Sequence, residues 1–120
     1  MNGALIVESL RVGAEFALPL RMRRMSRFEV EDATPEQPQL WTLLEFEADD
    51  RRAQEVAAAF AGSLSRTGGW YVDFHTAEAK YVVFADRVFR FQRGDRLATH
   101  QAQEYARSVG VPESQLDWAE

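Results

Sequence analysis

Short alternating segments dominate this sequence and constrain its fold more than any other feature. Alternation of apolar and polar residues, with shorter apolar runs, predicts strands at Ala4–Val12, about Leu20–Val30, Leu40–Glu47, Trp70–His75, Lys80–Phe84 and Arg87–Gln92. Ala85-Asp86 is the predicted two-residue hairpin turn between the last two strands. Only two segments have helical spacing. One follows the Asp49-Asp50 cap, and the other extends from Asp95 to Val109. Runs of strands with two separate helices predict an α+β fold, in which an antiparallel or mixed sheet carries both helices on one face.

An internal sequence similarity supports this layout. The segment that starts at Phe46 resembles the one that starts at Phe91, because each contains a strand end, an Asp cap and an alanine-rich helix. A pseudo-symmetric pair of helices on one sheet, ferredoxin-like in character, explains the similarity. Convergence on common strand-cap-helix chemistry is the alternative.

The length and composition predict a single domain over residues 1–120. The chain has 46% hydrophobic residues and 28% charged residues, which is typical of a globular protein. It has no cysteine, and no apolar run has the length of a signal peptide core or a membrane span. We therefore expect a cytoplasmic protein that does not associate with membranes.

The net charge of −5 conceals a segregated charge pattern. An acidic block without a single basic residue consists of Glu29, Glu31, Asp32, Glu36, Glu45, Glu47, Asp49 and Asp50. It follows the arginine-rich segment LRMRRMSR at 20–27. Such a block argues against nonspecific nucleic-acid binding, which needs a broad basic face. We expect the arginines to pair with the acidic block across a hairpin. An anion site is the alternative.

Four segments resemble a family of small uncharacterised bacterial proteins. They are WTLLEFE, GGWYVDFHT, YVVFADRVFR and VPESQLDW, which carry W-T-x-x-x-F, G-W-Y-x-D-F, V-V-F-x-x-x-V-F-R and P-x-x-Q-L-D-W patterns over roughly residues 40–118. The resemblance implies a single cytoplasmic domain. It implies no activity, cofactor or catalytic residue.

The stretch GGWYVDFHT contains the candidate site. In a strand, Trp70, Val72 and Phe74 point towards the helices, whereas Tyr71, Asp73 and His75 point to the other side. A carboxylate near an imidazole is typical of acid-base sites, but this spacing is too long for a direct hydrogen bond. A solvated or partner-covered sheet face is the alternative interpretation. Ligand spacing for a metal is absent, and no catalytic residue or cofactor is assigned.

An apolar patch on the second sheet face leads to the functional hypotheses. If both helices cover one face, then Tyr71, Tyr81, Val83 and Val88 remain on the other. Coverage by the N-terminal strands or the tail is the alternative.

The first hypothesis is a non-enzymatic binding or assembly module that forms a homodimer through its sheet. The second is a small-molecule binder or small enzyme with a cleft that uses Tyr71, Asp73, His75 and Arg90, with a small anionic ligand. Whether the protein is an enzyme stays open. We also expect the tail to dock through Leu116 and Trp118.

Overall fold

The structure, a computed structural model, describes residues 1–116 and contains one six-stranded antiparallel sheet and two α-helices. The strands are β1 (Asn2–Ile6), β2 (Arg21–Glu29), β3 (Leu40–Glu47), β4 (Val72–His75), β5 (Ala79–Phe84) and β6 (Arg87–Gln92). The helices are α1 (Ala53–Ala61) and α2 (Arg96–Ser108). The strand order is β2-β3-β1-β4-β5-β6. The α+β class and the antiparallel sheet are thus confirmed.

Strand β5 is buried along its whole length, on both of its faces. Tyr81 and Val83 belong to a core cluster with α1, whereas Val82 and Phe84 belong to a second cluster with α2. Because successive side chains of a strand point to opposite faces, the two helices lie on opposite sides of the sheet. We call these sides the α1 face and the α2 face.

The prediction that both helices pack on one face is therefore wrong. The physical reason is visible in YVVF (residues 81–84), an uninterrupted apolar run that requires cover on both sides. The ferredoxin-like expectation is not confirmed either, because the elements follow the order β1-β2-β3-α1-β4-β5-β6-α2 and not a βαββαβ order.

Two rows of directly opposed residues show which side chains share a face. On the α1 face the row is Arg90, Tyr81, Phe74, Gly3, Phe46 and Met22. On the α2 face it is Phe89, Val82, Asp73, Ala4, Glu45 and Arg24. Each row crosses all six strands, and the small residues Gly3 and Ala4 lie in the middle.

The N-terminal part of the chain differs from its prediction in two places. Strand β1 ends at Ile6, because residues 7–9 form a 3-10 turn in which the Ser9 hydroxyl donates to the Ile6 carbonyl at 2.5 Å. A bulge between Met22 and Arg24 interrupts the alternation in β2.

The pairing of arginines with the acidic block is confirmed, since Arg21 lies 3.3 Å from Glu47 and Arg24 lies 3.7 Å from Glu45. The predicted Ala85-Asp86 hairpin turn between β5 and β6 is also confirmed, with Asp86 at φ 59°.

The helices are too few to cover the sheet. Six strands spaced about 4.8 Å apart form a sheet about 24 Å wide, and one helix with its side chains is about 10 Å wide. Helix α2 packs over the end of the sheet that contains β5 and β6. Among residues 1–116, no helix therefore lies over the α2 face of β1, β2 and β3. No helix in the described part of the chain is long and apolar enough to cross a membrane.

Gly3 provides a test of this packing. An added methyl group at Gly3 would overlap Phe74 Cβ and lie 2.8 Å from Phe46 Cζ. We expect Gly3→Ala to destabilise the fold by about 1–3 kcal/mol, as overpacking of a core does. The measurement is urea unfolding.

Gly62→Ala is the matched control, because its nearest neighbour would be 3.6 Å away and its φ is −82°. It should leave the urea midpoint unchanged or slightly raised. Equal midpoints for the two variants would contradict the described packing of β1 between β3 and β4.

Candidate functional site

The open part of the α2 face contains an apolar cleft of about 290 Å³. Its apolar lining consists of Ile6, Phe28, Trp41, Leu43, Trp70 and Tyr71, and we call it the aromatic cleft. Trp41 and Leu43 are only partly buried, and Phe28 is 40% exposed. Large apolar side chains thus line a recess that the described residues do not fill.

Segments that are distant in sequence build the rim of the aromatic cleft. The side chain of Gln115 donates to the Asp32 carbonyl at 3.1 Å, and the Tyr71 hydroxyl donates to the Gln115 carbonyl. The buried side chain of Gln37 donates to the Gly68 carbonyl at 2.6 Å. These bonds connect the C-terminal 3-10 turn, the loop after β2 and the entry to β4. The rim is therefore held by tertiary structure.

Two tryptophans form the aromatic part of the wall. The rings of Trp41 and Trp70 lie 5.2 Å apart at a tilt of 55°, and the Trp41 indole donates to the Pro38 carbonyl at 2.9 Å. Gly69, which precedes Trp70, has φ +68° and approaches Gly110 so closely that a Cβ would lie 2.7 Å from its carbonyl oxygen. This close approach explains why the turn before β4 requires glycine.

A second recess of about 360 Å³ lies beside the aromatic cleft, and Ala4 and Asp73 line both. Its polar lining consists of Asn2, Arg23, Glu45, His75, Lys80 and Arg93, and we call it the polar cleft. Because the Ala4 side chain is a single methyl group, no large side chain of β1 separates the two clefts. They form one surface with an apolar and a charged part.

Lys80 is the most unusual residue of the polar cleft. It is only 4% exposed, and its ammonium lies 2.7 Å from Asp73 Oδ2. The β4–β5 register places Lys80 opposite His75 on the α2 face. Burial of a charged group costs free energy unless the group is paired. Asp73 provides that pairing and keeps the ammonium fixed within the cleft.

The surroundings of His75 disfavour its protonated form. Burial, together with the positive charges of Arg93 and Lys80, lowers the pKa of His75, and these causes outweigh the opposite effect of Asp73. A lowered pKa means that the unfolded chain takes up the proton more readily. The stability that neutral His75 contributes is thus fully present above its ordinary pKa of about 6.5 and is lost as the pH falls from that value through the lowered pKa of the folded state.

The structure brings three of the four proposed ligand-binding residues together and excludes the fourth. Tyr71 lines the aromatic cleft, Asp73 lines both clefts and His75 lines the polar cleft. Arg90 lies on the α1 face, where its Nε donates to the Tyr81 hydroxyl at 3.0 Å. The strand register therefore places Arg90 behind the sheet, on the other face from Asp73 and His75.

The prediction that Tyr81 and Val83 form part of an uncovered apolar patch is also wrong. Tyr81 is 3% exposed and Val83 is fully buried, because α1 covers them. Tyr71 is on the opposite face from both. Leu116 is buried in the cluster with α2, as expected of a docked tail, whereas Trp118 lies outside the described residues.

Several site residues were missed by reasoning from the sequence, and Lys80 had a usable signal. The β4–β5 loop is Thr76–Glu78, closed by a bond from the Thr76 amide to the Ala79 carbonyl at 2.9 Å. A short loop fixes the register, so Lys80 opposite His75 could have been derived. Trp41 and Phe28 had no comparable signal, because they reach the site through nonlocal pairing of β3 with β1.

The carboxylates of Asp73 and Asp32, which line the clefts, both accept hydrogen bonds from neighbouring side chains. Asp73 is occupied by Lys80, and the Ser114 hydroxyl donates to the Asp32 carboxylate. Within residues 1–116, no cluster of three or more His, Asp or Glu side chains could hold a metal ion.

The ion pair yields an asymmetric prediction. Asp73→Ala leaves a buried ammonium without a counter-charge, which we expect to cost about 3 kcal/mol. Lys80→Met leaves a carboxylate that is 30% exposed and should change stability by no more than about 1 kcal/mol. Urea unfolding at pH 7 measures both. The double variant should recover most of the loss, and equal losses in the two single variants would refute the described burial of Lys80.

Comparisons with protein-family models, with curated proteins and with solved structures found no match to this chain. The resemblance to small bacterial proteins stays a prediction. Function is therefore inferred from the geometry of the two clefts.

Proposed function

We propose that this protein is a binding module that holds a small molecule in the aromatic cleft. The observation that carries the proposal is the half of the α2 face that residues 1–116 leave without a helix, where apolar side chains line a recess next to a buried ion pair. Exposed apolar recesses with a few fixed polar groups are typical of ligand sites. This proposal corresponds to the second of the two hypotheses from the sequence.

The size of the aromatic cleft favours a small, flat ligand. Its volume of about 290 Å³ is at the lower end of the range for small-molecule sites. The tilted Trp41 and Trp70 rings offer an aromatic wall that an apolar or aromatic body can contact. Such a ligand would cover Phe28 and Trp41, which the described chain leaves partly exposed.

We propose binding without covalent chemistry, in the cytoplasm. The Asp73 carboxylate is engaged by Lys80 and is not placed to activate a nucleophile. The absence of cysteine is compatible with a reducing compartment.

Self-association through the sheet is a second candidate function. The surface that could mediate it is not the expected patch with Tyr81 and Val83 but the edge of the sheet. Strand β2 is an edge strand of nine residues, and its Met22 and Met25 are 61% and 58% exposed. An edge strand presents unpaired backbone groups that can pair with a second copy. The arginines of β2 oppose this pairing, because they would approach each other across a two-fold axis.

Light scattering tests self-association. We expect a dimer at micromolar concentration, strengthened by salt because salt screens the repulsion between the arginines of the two edges. A mass of 13.7 kDa at every concentration and salt level would remove this candidate.

A neutral aromatic probe tests the binding proposal. Naphthylmethanol, titrated by NMR into isotope-labelled protein, should shift the indole signals of Trp41 and Trp70. Phe28→Glu should weaken this binding by about tenfold or more, because it replaces a cleft wall with a charge that the probe would have to desolvate.

Met25→Glu is the matched control, because it places the same charge on the same exposed strand but on the α1 face. It should bind the probe as the native chain does. Shifts that spread evenly over the protein, or equal losses in the two variants, would rule out the aromatic cleft as the site.

A further inference from the structure

The polar cleft contains hydrogen-bond donors that the described chain leaves unused. A lysine ammonium has three donors, and among residues 1–116 only Asp73 accepts from Lys80. Buried polar groups are normally satisfied. The remaining donors of this ammonium, which is nine-tenths buried and lines the cleft, can therefore bind water or an acceptor group of a ligand that enters the cleft.

Arg93 adds a second set of donors to the same cleft. Its guanidinium is exposed and forms no hydrogen bond or ion pair with the described residues. The acidic groups of the cleft are already engaged, since Asp73 pairs with Lys80 and Glu45 lies 3.7 Å from Arg24. The charge without a partner in the polar cleft is thus positive.

We infer that the small molecule bound in the aromatic cleft carries an anionic oxygen group, a carboxylate or a phosphate, which Lys80 and Arg93 bind in the polar cleft. The inference rests on the proposed function and adds the chemical class of the ligand. Ammonium and guanidinium groups form their strongest hydrogen bonds with such groups, and the planar guanidinium binds them through two donors at once.

The geometry of β1 allows one molecule to reach both clefts. Ala4 lies opposite Asp73 on one side and opposite Glu45 on the other, and it lines both recesses. An apolar body beside Trp41 can therefore continue into an anionic group beside Lys80 without crossing a large side chain.

The surroundings of His75 support a positive potential in the polar cleft. The charged groups that act on its imidazole are Arg93, Lys80, Asp73 and the α-amino group of Met1, and three of these four are cationic. A bound anion should raise the pKa of His75, which an NMR pH titration with and without the anion measures.

A matched series of naphthalene compounds tests the inference by isothermal titration calorimetry. Naphthoate and naphthyl phosphate are anionic, naphthylmethanol is neutral and naphthylmethylammonium is cationic, while the apolar body is the same in all four. We expect at least one anionic member to bind about tenfold or more tightly than the alcohol, and the cationic one to bind more weakly. Which anionic compound binds better distinguishes a carboxylate from a phosphate ligand.

Arg93→Gln should remove most of this preference for the anion while leaving the binding of naphthylmethanol unchanged. Arg90→Gln is the matched control, because Arg90 is also exposed but lies on the α1 face. It should keep the preference. Lys80→Met should also lose the preference. Because Lys80 is buried and Arg93 is exposed, Arg93→Gln is the variant that tests the anion site without changing the buried part of the protein.

Equal affinities for the anionic and neutral probes would overturn the inference and leave the proposed function intact. No binding of any member of the series would overturn both. Inorganic phosphate that binds as tightly as naphthyl phosphate, with no loss in Phe28→Glu, would show an anion site without an apolar ligand and would also overturn the inference.

Discussion

The burial of strand β5 on both faces is the constraint on which the rest of this structure depends. Six consecutive buried residues require cover on each side, and residues 1–116 provide one α-helix for each. Each helix spans only part of a six-stranded sheet. Within the described part of the chain, the half of the α2 face that contains β1, β2 and β3 therefore lacks a helical layer, and its apolar side chains line a cleft instead of a core.

The same strand also positions the charged part of the site. Lys80 belongs to the α2 face of β5 by register, opposite His75 of β4, and lines the polar cleft. Its ammonium is buried against Asp73 of the neighbouring strand. A buried ion pair is seldom the most stable solution for such a position, since apolar side chains of similar volume often do as well. Its presence beside an open recess is what connects the packing of the sheet to a binding role.

Local patterns predicted the elements well, and pairing between distant segments limited the rest. Strand β3, helix α2 and the Ala85-Asp86 turn were predicted close to their observed bounds, because their signals are contained within a few residues. It was harder to predict which face of the sheet a side chain occupies and which strands lie next to each other. Arg90 was assigned to the site because Tyr81, its neighbour across the β5–β6 hairpin, was expected on the same face as Tyr71, whereas the β4–β5 register places the two tyrosines on opposite faces. The aromatic cleft could not be predicted, because it exists only where the β2–β3 hairpin joins β1.

The central claim is that adjacent residues of β5 face different helices, and methyl NOEs in NMR spectra test it most directly. The account predicts NOEs from the Val83 methyl groups to Val56 and Phe60 of α1, and from the Val82 methyl groups to Ala102 and Ala106 of α2. NOEs from one of these valines to both helices, with none from the other, would place the helices on a single face and contradict the account.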